Sequence, residues 1–119
     1  MAENTTQASA RKKLGWVGGI AAFFAALIIW GTVTAQPGKE AELKTALQTL
    51  VPVAKTEQGY VQYDLHVSND NAGEFLFYEI WDDEAALQLH SSSDFSKAFG
   101  EKYGQLIKAS TLTKFTRVS

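Results

Sequence analysis

Apolar and polar residues alternate from Tyr60 to Val67 and again from Glu74 to Trp81, the period-two pattern of strands covered on one face. Between them, Ser68-Asn69-Asp70-Asn71-Ala72-Gly73 is dense in turn formers, so the two runs predict a β-hairpin. At Asp82 the spacing changes to a helical one. Asp82, Asp83 and Glu84 suit the positive end of a helix, and Asp83–His90 is predicted as a helix that follows the strand directly. Ser92-Ser93-Asp94 offers caps for a further helix with Phe95 and Phe99 on one face, where core contacts are expected. Upstream, Leu43, Ala46, Leu47, Leu50, Val51 and Ala54 recur at helical spacing across Lys39–Thr56. Pro37-Gly38 is a turn before that helix, Pro52 is expected to kink or loosen its last turn, and Gly59 ends it. Thr111–Val118 alternates once more and predicts a closing strand.

The N-terminal part is ambiguous by pattern alone. Leu14–Gly38 carries no charge and directly follows Arg11-Lys12-Lys13. Trp16 and Trp30 bracket its most apolar part, as aromatic belts bracket a membrane span, at about the 17-residue lower limit for one. Three readings compete: an anchor helix over residues 14–28 behind a polar tail of residues 1–13, a signal peptide cleaved after Val33-Thr34-Ala35, and a hydrophobic extension of a soluble protein. The anchor reading is preferred. It holds the N-terminus in the cytoplasm and places the remaining domain, 29–119, across the membrane.

Composition narrows the picture. At 119 residues, 45% hydrophobic and 20% charged, the chain has the size and balance of one folded domain. The net charge of -2 conceals an asymmetry: +2 over residues 1–13 and -4 from Gln36 onward. No general attraction to nucleic acid follows from it. The absence of cysteine excludes disulfides, thiolate metal sites and cysteine nucleophiles.

Three blocks then align with a known pattern: Gln36-Pro37-Gly38-Lys39-Glu40-Ala41-Glu42-Leu43, Gly59-Tyr60-Val61-Gln62-Tyr63-Asp64-Leu65-His66, and Phe75 through His90. From roughly Leu27 to Val118 the chain resembles the antibiotic-biosynthesis-monooxygenase (ABM) domain family of the dimeric α+β barrel superfamily. The resemblance makes Ile28–Gln36 a first strand. Cleavage after Ala35 would remove that strand and leave its neighbours with unpaired backbone groups, which argues against the signal peptide. Helix and strand compete for residues 26–31, with Gly31 the expected changeover. The resulting order, β-α-β-β-α-β, is the α+β ferredoxin-like split βαβ arrangement with an antiparallel sheet. The resemblance also implies a homodimer through sheet packing, and oxidation of quinol-like or polycyclic aromatic substrates by dioxygen with no metal or flavin.

Candidate chemistry is sparse. In the first hairpin strand Tyr60, Gln62, Asp64 and His66 share one face, and Val61, Tyr63, Leu65 and Val67 the other. In the second, Phe75, Phe77, Glu79 and Trp81 share a face beneath the helix that bears His90. His90 and His66 are the two histidines and the natural bases, with Glu79 a third catalytic candidate. Trp81, Asp64 and Phe95 are candidates for substrate contact. Each also has a bland role to weigh: a solvated imidazole, a core aromatic, a carboxylate in an ion pair. Two histidines at this spacing make no metal motif. The heme-degrading branch of the superfamily uses an asparagine, a tryptophan and a histidine. Trp81 fits the second, but Gly31 and Phe99 stand at the other two positions, so heme iron lacks an axial ligand and heme degradation is not expected. Many relatives also carry a second histidine where this chain has Asp94. Two functions stay open: a membrane-tethered, cofactor-independent monooxygenase, and a non-catalytic subunit that serves a membrane complex as a packing module. In both, the N-terminal helix contacts lipid.

Overall fold

The computed structural model describes residues 26–119. Leu27–Ala35 forms β1, Glu40–Gln48 α1, Leu50–Ala54 α2, Tyr60–Val67 β2, Glu74–Trp81 β3, Glu84–Ser91 α3, Asp94–Tyr103 α4, and Ile107–Thr116 β4. A 3-10 turn, Gly104–Leu106, leads into β4. The sheet is antiparallel with strand order β2-β3-β1-β4, the ferredoxin-like arrangement expected from the element order. β2 and β3 lie where the alternation placed them.

β1 starts at Leu27 and takes in Ile28, two residues the sequence reading had assigned to an anchor helix over 14–28. The rest of that helix, residues 14–25, and the polar tail, 1–13, lie outside the described residues. Gly31 is not a changeover: it sits mid-strand, opposite Phe77 on one side and Leu112 on the other. The strand wins because Ile28, Ile29, Thr32, Val33 and Thr34 are β-branched and both neighbours supply backbone partners. Among the described residues, no helix is long and apolar enough to cross a membrane.

The helix over Lys39–Thr56 divides one turn earlier than expected. Pro52 lacks a donor N–H and its ring conflicts with the carbonyl four residues back, at Gln48, where α1 ends. Thr49 closes α1 with its own N–H (3.1 Å) and hydroxyl (2.6 Å), both donating to the Ala46 carbonyl. Pro52 itself lies in the first turns of α2, where its missing donor costs little. β4 starts four residues before the predicted Thr111 and ends at Thr116. It is an edge strand exposed along almost its whole length, so its limits are set by pairing with β1 rather than by burial.

The helices cover one face of the sheet. Leu27, Ile29, Tyr63, Phe75, Phe77 and Trp81 meet Leu43, Leu47, Ala54, Ala86, Leu87 and Leu106 in a single core. Register places Tyr63 opposite Glu79 and Leu65 opposite Phe77 on this covered face, and Asp64 and His66 on the bare one, opposite Tyr78 and Leu76. The ladder shifts between Tyr60 and Gln62. This bulge breaks strict alternation and turns Tyr60 toward Trp81, correcting the expectation that Tyr60 shares a face with Gln62, Asp64 and His66. Phe95 is 39% exposed on α4 and is not a core residue, whereas Phe99 packs on the core beside Tyr103, with ring centroids 5.0 Å apart.

Candidate active site

β3 brings its covered face to an end with Glu79 and Trp81, and α3 starts three residues after Trp81. Asp83 caps the helix by accepting the Ala86 N–H at 2.9 Å. The hand-over is tight, so α3 runs back over the sheet it has just left. Its inward residues are Ala86 and Leu87, and His90 follows Ala86 by one turn on the same side.

His90 therefore lies over Trp81, with ring centroids 4.6 Å apart and planes tilted by 32°. Tyr63 meets the imidazole edge-on at 5.5 Å and the indole at 6.2 Å. Trp81 is fully buried and donates its indole N–H to Glu79 Oε1 at 2.9 Å. His90 Nδ1 is 2.5 Å from Glu57 Oε1, and these two side chains keep only 15% and 19% of their exposure. Nε2 of the same ring has no hydrogen-bond partner among the described residues. The Tyr63 hydroxyl, on a residue only 3% exposed, has none either.

The electrostatics divide the roles. Burial holds the Glu79 carboxyl above the usual carboxylate range; the Trp81 hydrogen bond and the charge His90 can carry oppose this in part, and Glu57 adds to it. Burial also pushes the Tyr63 phenol far up, reinforced by the negative charges of Glu79 and Glu57, so it stays a proton donor. Beside these two, the His90 imidazole is the member of the cluster with a ring nitrogen left unbonded among the described residues.

The raised Glu79 value has a thermodynamic consequence. The folded chain holds that proton more tightly than the unfolded one, so stability falls as pH rises above the ordinary value of 4.5. Glu79→Gln keeps the shape and the acceptor for Trp81 but cannot ionise. Its melting temperature is expected to exceed that of the parent at about pH 8 and to match it at about pH 4. A loss at the higher pH would show instead that the ionised carboxylate is the native form.

Of the residues singled out by sequence, the fold brings together His90, Glu79 and Trp81. His66 and Asp64 lie on the bare face; His66 Nδ1 is 3.2 Å from the Leu76 carbonyl and Asp64 accepts from Gln62 at 2.7 Å. Phe95 is set apart on α4. Sequence reasoning missed Glu57 and the part played by Tyr63. Glu57 lies between a helix and a strand, where no periodicity marks it; its one signal is Gly59, which directly precedes the strand that starts opposite Trp81 and packs the turn against Ala86 of α3. Among the described residues, no group of three or more histidines and carboxylates is gathered as for a metal ion.

Residues 26–102 match the family model described as antibiotic biosynthesis monooxygenase. The chain is 25% identical over 93 residues to an uncharacterised protein of Synechocystis, covering 78% of the chain and 63% of that relative's length. It is 29% identical over 83 residues to YcnE of Bacillus subtilis, provisionally named a monooxygenase, covering 70% of the chain and 87% of that relative. The crystal structure of PA3566 from Pseudomonas aeruginosa superposes with a TM-score of 0.76 at 29% identity, covering 80% of this chain and 96% of that one.

Proposed function

This chain belongs to the antibiotic biosynthesis monooxygenase family, and on that premise we propose that it is a monooxygenase that oxidises quinol-like aromatic substrates with dioxygen, His90 being its base. The observation that carries the reading is the imidazole itself: stacked on a buried indole, bonded through Nδ1, partly exposed, and with Nε2 unbonded among the described residues.

In this reaction Nε2 takes the proton of a substrate phenol. The phenolate passes one electron to dioxygen; the radical and superoxide join at a ring carbon, and the hydroperoxide loses water to leave a carbonyl. For a naphthoquinol, one oxygen atom enters the ring, giving a hydroxyquinone, and the other leaves as water. The substrate supplies all the electrons. In this reading Tyr63, kept protonated, donates to the developing oxyanion, and the buried surroundings limit solvent access to the radical pair. The test is oxygen uptake with a reduced naphthoquinol, without added metal or flavin. No uptake above the protein-free rate across a panel of quinols would end the proposal.

One observation favours the second reading, a packing module without catalysis. Trp81, Tyr63 and Glu79 are almost wholly enclosed, so the cluster is filled by its own side chains. Under that reading no quinol turns over and the chain purifies with a stoichiometric membrane partner.

A second copy of the chain is the partner we propose for the bare face. Trp30 and Phe115 are 46% and 50% exposed there, beside Ile28, Tyr78 and Ile80. Light scattering is expected to give the mass of two chains, and Trp30→Glu to halve it. A single-chain mass for the parent would leave the face unexplained. Membrane attachment is likewise proposed, through the uncharged residues that follow Arg11-Lys12-Lys13.

A further inference from the structure

The α2–β2 turn is built against His90. The Glu57 N–H donates to the Ala54 carbonyl at 3.1 Å, the Tyr60 N–H to the Glu57 carbonyl at 3.2 Å, and the Asp82 N–H to the Gly59 carbonyl at 2.8 Å. Gly59 has φ of 82°, and a Cβ there would lie 2.3 Å from the Ala86 Cβ, well inside contact distance. Only glycine lets the turn come this close to α3. Ala86 and His90 lie one turn apart on the same side of that helix, so contact of Gly59 at Ala86 brings Glu57, two residues earlier in the turn, against the imidazole.

The histidine is held from its backbone as well. Its carbonyl accepts the hydroxyls of Ser93 at 3.0 Å and Ser96 at 2.8 Å, the cap of α4. The backbone is thereby anchored while the ring is gripped between Trp81 and Glu57. A carboxylate accepts hydrogen bonds and cannot donate them, so a neutral imidazole bonded to it through Nδ1 carries its hydrogen there and keeps its lone pair on Nε2.

We propose that Glu57 is a positioning residue: delivered by the glycine turn, it selects the Nδ1–H tautomer of His90 and turns Nε2 outward as the acceptor. The proposal rests on His90 being the base of the reaction. Glu57 acts through the histidine, not on the substrate. The groups facing the imidazole are Glu57 from the turn, Glu79 and Trp81 from β3, and Tyr63 from β2; Glu57 is the one bonded to the ring.

The experiment is a nitrogen NMR spectrum of the purified full-length chain carrying isotopically labelled histidine, with His66→Asn used to assign signals, alongside steady-state kinetics. The parent is expected to show one neutral tautomer for His90, protonated at Nδ1. Glu57→Ala should give a mixture of tautomers and lower kcat about tenfold or more with KM little changed, the scale seen when an outer carboxylate is removed from a working histidine. Glu57→Gln, which still presents an acceptor oxygen, should retain the tautomer. Gly59→Ala should lose it although Glu57 is present; should that variant not fold, the Glu57 pair decides alone. A single Nδ1–H tautomer in Glu57→Ala overturns the proposal. A scrambled tautomer in Glu57→Ala, with no quinol turned over by the parent, upholds the positioning role and removes the monooxygenase reading.

Discussion

Replacing His90 by alanine is expected to slow oxygen consumption with a naphthoquinol by about 100-fold or more while the chain stays folded, the usual share of a general base. The size of the effect follows from the lack of a substitute. Tyr63 is held protonated by burial and by the neighbouring carboxylates, and Glu79 is enclosed, with one oxygen already bonded to Trp81. The structural cost is smaller. The imidazole is stacked on Trp81, a contact worth about 0.5–1.5 kcal/mol, and its removal opens space at the rim of the core rather than at its centre. A melting temperature lower by roughly 4–8 °C per kcal/mol lost is expected, with the same circular dichroism spectrum. Unchanged uptake in His90→Ala would remove this residue from the chemistry.

The second large effect concerns β1. Deleting residues 1–25 should leave a folded domain released from membranes, whereas deleting residues 1–35 should leave none. β1 is an inner strand of the sheet, paired with β3 from Leu27 to Thr34 and with β4 from Leu27 to Ala35. Its removal strips a row of backbone partners from both neighbours and takes the fully buried Ile29 out of the core. At about 1 kcal/mol net for each ladder bond, the loss exceeds the 5–15 kcal/mol that holds a typical domain together. Thermal melts and a high-salt membrane wash read both outcomes. Equal melts for the two truncations would contradict the place of β1 in the sheet, and full-length chain left in the supernatant would contradict the attachment.

Much of this architecture was legible because burial writes a pattern. β2, β3 and α3 alternate or repeat against one covered face, and the strand-to-helix change at Trp81–Asp82 located the cluster of Glu79, Trp81 and His90. The closing strand was read from Thr111, and its first residues, 107–110, were missed because this exposed edge strand carries no burial pattern there. The bulge at Val61 was hidden for a related reason: one inserted residue alters which side chains share a face without altering their character. Glu57 was invisible because its role depends on a contact between a turn and a helix far along the chain. The competition between helix and strand at residues 27–31 is one that local propensity could not settle and that pairing with two neighbours did.

The claim that this cluster oxygenates its substrate is tested most directly by supplying isotopically labelled dioxygen with a reduced naphthoquinol and weighing the product. One labelled oxygen atom is expected in a hydroxyquinone formed by the parent chain, the other in water, with product close to the protein-free level in His90→Ala. A product without label, or hydrogen peroxide as the sole fate of the dioxygen, would contradict it.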